Sequence, residues 1–78
     1  MTEATELAAQ LGTKDPRVGL QAVAALRRLL DRLEQLHVDN ARDSGWLWQE
    51  IAGALGVTKQ AVHAKHAQRR RAQGKEEN

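Results

Sequence analysis

Apolar residues recur through the middle of the chain at alternating spacings of three and four. Val23, Leu26, Leu30, Leu33 and His37 form one row, and Ala22, Ala25, Leu29 and Leu36 form a second beside it. Together they make a stripe wider than a coiled-coil seam, on a helix whose remaining positions include Arg27, Arg28, Asp31, Arg32 and Glu34. The acids on this helix alternate with arginines and read as solvated ion pairs. Asp15-Pro16 marks its start, a capping carboxylate followed by proline at the first helical position. The turn formers from Asn40 to Gly45 mark its end. The pattern predicts a long helix from Pro16 to about Ala41.

Shorter elements flank it. Thr5 to Gly12 reads as a short helix, with Thr2 or Thr5 as its cap and Gly12 as a left-handed stop. A third helix starts between Gly45 and Trp48 and stops at Gly56, and Thr58 caps a fourth that runs into the arginines. Of Trp46 and Trp48, two apart, one is expected in the core and the other against the long helix or a dimer partner. The expected organisation is one helical domain over residues 1–73 with a disordered tail at 74–78.

Composition agrees with an all-α fold of about four helices. Ala, Leu, Gln, Arg, Glu and Lys are abundant, while Phe and Tyr are absent. Cysteine is absent too, which excludes disulfides and thiolate metal sites. No apolar run approaches the ~20 residues of a membrane span, and the acidic first residues lack a signal-peptide pattern. The chain is therefore expected to be soluble and cytoplasmic.

Net charge is only +2, but it is unevenly spread. From Thr58 onward, Lys59, Lys65, Arg69, Arg70, Arg71 and Lys75 face only Glu76 and Glu77, a local balance of +4. The preceding residues balance to −2. A basic C-terminal third on a mildly acidic body suits a nucleic-acid contact surface.

The informative stretch is Trp48 to Val62. Where two helices cross through a tight turn, the first needs a small residue, and Ala52 supplies it. The turn needs a residue that tolerates positive φ, and Gly56 follows four positions later. Ile51, Leu55, Val57 and Val62 would then form the small core that fixes the angle. The run Ile51-Ala52, Leu55-Gly56-Val57-Thr58, Ala61-Val62 resembles the helix-turn-helix of bacterial transcription regulators and of sigma-factor DNA-reading domains. The longer wording from Trp48 to His63 is similar to a group of small actinobacterial helix-turn-helix proteins. Two positions depart from that pattern. Lys65 stands where an aliphatic residue is usual, with His66 available to fill the space, and Leu47 stands where a serine cap is usual, with Ser44 as a substitute.

The resemblance implies DNA binding through the fourth helix, Thr58 to Arg70, in the major groove, and transcription regulation as the role. The candidate DNA-binding residues are Thr58, Lys59, Gln60, His63, Ala64, Lys65, Ala67, Arg69, Arg70 and Arg71. Gln60 suits an adenine edge, Lys59 a phosphate or guanine, His63 a base or phosphate, and Ala64 a thymine methyl. Arg69 to Arg71 suit phosphates. Val23, Leu26, Leu30, Leu33 and His37 are the candidate homodimer surface, because the long helix has more apolar surface than a tiny domain covers.

Other chemistry is thinly represented. His63 and His66 have a metal-ligand spacing but no third ligand nearby, so neither a metal nor another cofactor is expected. No paired carboxylates, activated nucleophile or phosphate-cradling loop suggests an enzyme. The alternative is a helical protein-interaction module that uses the long helix and has no direct DNA role. Single-stranded RNA recognition is a weaker third reading, because exposed aromatics are scarce.

Overall fold

The structure, a computed structural model, describes residues 2–76, and of Thr2 the backbone. It is all-α: α1 (Thr2–Leu11), α2 (Pro16–Asp43), α3 (Trp48–Leu55) and α4 (Lys59–Ala72), with no strand among the described residues. None of these helices is long and apolar enough to cross a membrane. The chain divides into two compact units, one ending at Leu33 and the other beginning at Glu34.

In the first unit, α1 starts earlier than the pattern predicts, so Thr5 lies inside the helix and does not cap it. Thr2 opens the helix; its side chain lies outside the described residues. Gly12 is not a left-handed stop. The helix ends instead on tightened bonds, Gly12 N–H to the Ala9 carbonyl and Thr13 N–H to that of Gln10. Asp15 caps α2 as expected, its Oδ1 accepting from the N–H of Arg17 at 2.9 Å. The described residues of this unit that leave solvent are Leu7 and Ala22, with Val18, Gly19, Val23, Ala25, Leu26 and Leu29 half-buried. Ala22, Ala25 and Leu29 of the second apolar row thus turn inward, while its last member, Leu36, is exposed. In the row proposed for dimerisation, Val23 and Leu26 are half-buried, whereas Leu30 is 57 % exposed and Leu33 is also exposed.

The second unit holds the end of α2 with α3 and α4. Helix α2 runs two residues past Ala41, and Gly45 at φ 91° then turns the chain, with Trp46 N–H bonding to the Ala41 carbonyl. His37, the last residue of the candidate homodimer surface, is exposed. The core is Val38, Ile51, Ala52 and Val62, with Ala41 and Trp48 packed against it. This corrects the predicted quartet: Leu55 and Val57 are exposed, and Val38 and Ala52 take their place. Trp48 is the tryptophan that packs on the core, and Trp46 is exposed.

Both helix ends around the turn are satisfied. Leu47 precedes α3 and has no side-chain oxygen to offer, so only its backbone carbonyl accepts, from the N–H groups of Glu50 and Ile51. Glu50 supplies half of a capping box, accepting from the Leu47 N–H at 2.9 Å, and Ser44 is not needed. Gly56 adopts φ 73°, and Val57 N–H returns to the Ala52 carbonyl. Thr58 then caps α4, its hydroxyl accepting from the Ala61 N–H at 3.1 Å. After α4 the described part of the predicted tail is tied down: Lys75 N–H bonds to the Arg70 carbonyl, and Glu76 pairs with Arg42. Glu77 and Asn78, the rest of that predicted disorder, lie outside the described residues.

Candidate nucleic-acid interface

Helix α4 is held by one face and open on the other. Val62, His66 and Arg70, each four residues on from the last, form the buried line, with Ala67 beside it. Only the first of these is a large apolar residue. The rest of the line is ionic, because the face of α2 that it meets carries Glu34, Asp39 and Asp43.

That seam can be followed atom by atom. Lys65 Nζ lies 3.0 Å from Glu34 Oε2, and the His66 Nε2 lies 2.6 Å from the same oxygen. Arg69 Nη2 is 3.0 Å from His66 Nδ1. A guanidinium only donates, so Nδ1 is the acceptor and His66 donates its Nε2–H to Glu34. Arg69 also forks onto both oxygens of Asp39, Nη1 to Oδ2 and Nη2 to Oδ1, each at 3.0 Å. Arg70 bridges two acids, Nη1 to Asp39 Oδ1 at 2.8 Å and Nη2 to Asp43 Oδ1 at 2.7 Å.

The charges respond to these partners. Hydrogen bonds from Arg69 hold the Asp39 carboxyl below its usual range, against burial, with help from Arg70. Burial pushes the Glu34 carboxyl up, but the bonds from His66 and Lys65 outweigh it and the net direction is down. Burial works against the Arg70 charge, and Asp43 and Asp39 more than restore it. The bond from Arg42 lowers Glu76.

This geometry revises the candidate residues. Arg70, 2 % exposed, and Ala67, 3 % exposed, are inside and are not contact residues. Arg69 is half-buried and spent on Asp39, and Lys65 is exposed but paired with Glu34. The acids Glu34, Asp39 and Asp43 are therefore not solvated partners of arginines on their own helix. Lys65 does not enter the core at its unusual position, and His66 fills that space. His63 is half-buried against Trp48, their ring centroids 5.5 Å apart. Thr58, Lys59, Gln60, Ala64 and Arg71 are exposed, as proposed from sequence.

The open face also holds Ala61 and Gln68, which were not among the candidates from sequence. Ala61, Ala64, Lys65 and Gln68 repeat at spacings of three and four on the exposed side, with Gln60 and Arg71 at its border. Read from the polar line His66–Arg70 instead of from Val62 alone, the helix turns by roughly one position and Gln68 comes outward. Lys59, Arg71 and Lys75 make no ion pair among the described residues. No family model, no curated protein and no solved structure matches the chain.

Proposed function

We propose that this chain is a sequence-specific DNA-binding protein, acting as a transcription regulator, that lays the exposed face of α4 in the major groove. The observation that carries the reading is the division of labour along α4. Its inward face is fixed by Val62, His66, Arg69 and Arg70, while Thr58, Lys59, Gln60, Ala61, Ala64 and Gln68 stand open on a helix whose first turn is capped and aimed by a tight turn. Small residues between two glutamines let a helix approach base edges closely, and glutamine can bond an adenine through two atoms. Lys59 and Arg71 supply phosphate contacts.

The exposed Leu30 and Leu33 support a homodimer through α2. Two reading helices would then favour an inverted repeat with half-sites about one helical turn, ~34 Å, apart. A protein-interaction module is the second reading, favoured by the same leucines and by the neutralisation of Arg69 and Arg70 within the chain.

Selection from a random duplex pool across a salt series, with mass by light scattering, tests both. A dimer whose Lys59, Arg71 and Lys75 each meet one phosphate should show a slope of log affinity on log salt of about −5. Lys59→Ala should weaken all sequences alike and reduce the slope, and Gln60→Ala should relax one base position at a loss of about 1–3 kcal/mol. No retention of DNA at low salt sinks the reading and turns attention to a protein partner of α2.

A further inference from the structure

Trp48 opens α3 half-buried against the core, and two ionisable side chains lie on its indole. The Arg42 guanidinium sits over the ring, 4.6 Å from the centroid. His63 meets the same indole with the ring planes at 78°, an edge-to-face contact. Arg42 is itself tied down, Nη1 donating to the Trp46 carbonyl at 2.8 Å and Nη2 to Glu76 at 3.0 Å. The indole is thus braced from the end of α2, and it braces His63 in turn. No described residue makes a hydrogen bond to the His63 ring. The residue stands one turn after Lys59, at the edge of the open face.

We propose that Trp48 is a positioning residue for a phosphate contact made by His63. The indole fixes the imidazole so that a ring N–H meets a DNA phosphate oxygen next to the contact made by Lys59. This rests on the DNA-binding reading above. A neutral imidazole donates one such bond, and an imidazolium donates it with charge assistance, so the contact strengthens on protonation. The charged groups on the elements that meet at this indole are Arg42 and its partner Glu76, Glu50 in the first turn of α3, and Lys59 on α4.

The test uses the full chain and the duplex it selects, by anisotropy at fixed salt. Affinity should rise about fivefold on acidification from about pH 8 to about pH 5. His63→Gln should remove that rise while keeping the salt slope set by Lys59. Trp48→Leu should remove it as well, with helicity unchanged by circular dichroism, and Trp48→Phe should restore it. A second readout needs no DNA. In a Trp46→Phe background the remaining indole emission should fall on acidification, because an imidazolium quenches it, and should stay level once His63 is Gln.

DNA binding that does not depend on pH, or equal behaviour of the Leu and Phe variants, overturns the positioning role and leaves the DNA reading intact. Emission that ignores His63 overturns it without reference to DNA. A chain that binds no duplex removes both together.

Discussion

Arg70 keeps its charge with almost none of its surface in water, and it does so because Asp39 and Asp43 each take one of its terminal nitrogens. Removing one partner of a buried ion pair leaves the others uncompensated. Arg70→Met should therefore cost about 3 kcal/mol in urea unfolding, the low end for such pairs because Asp43 can rehydrate. Arg71→Met, one position on, should stay within about 0.5 kcal/mol, since Arg71 is exposed and unpaired among the described residues. Equal losses would mean that the seam does not hold α4. Three consecutive arginines look alike in a sequence, and only their angular position relative to Val62 and His66 separates them. The sequence reading placed all three on phosphates because it treated the buried line as apolar. The signal it lacked was the four-residue spacing of Asp39 and Asp43, which matches an arginine across the seam.

Helices themselves were far more legible than their inward faces. Asp15-Pro16, Gly56 and Thr58 each act at an element boundary through a local mechanism, so no tertiary information is needed to place them. Gly12 misled because a helix can also end by tightening its last bonds, which leaves no mark in the residue type. Gly53 within α3 and Gly56 just past its end separate these effects. Gly56 has φ 73° and open space around a would-be Cβ, so Gly56→Ala should cost about 1 kcal/mol, purely from the left-handed backbone. Gly53 is helical with equally open space, and Gly53→Ala should stabilise by about 0.5–1 kcal/mol. Thermal melts of the two variants should move in opposite directions. A shared direction would mean that the turn is not built as described.

For the whole molecule, the uneven charge read along the sequence is redistributed by folding. The unit beginning at Glu34 holds the basic residues of α4 together with the α2 carboxylates that answer them, so much of the apparent basic excess is internal. This gives its stability a defined pH dependence. Asp39, Glu34 and Glu76 have lowered folded pKa values, against ordinary values of 3.8 for Asp and 4.5 for Glu. Their contribution is complete above those ordinary values and is lost as pH falls through the lowered ones. Melting temperature should be level near neutrality and fall below about pH 4, and Asp39→Asn should flatten that fall. An unchanged acid limb in this variant would remove Asp39 from the account.

Anchoring α4 through a short ionic line has an evolutionary consequence. Gln60, Ala61, Ala64 and Gln68 carry no part of the hold on α2, so their identities are free to drift without unfolding the protein. The molecule therefore separates what must be inherited unchanged from what can be rewritten. A library randomised at those four positions should yield folded members in high proportion, each a candidate for a different target on the same scaffold.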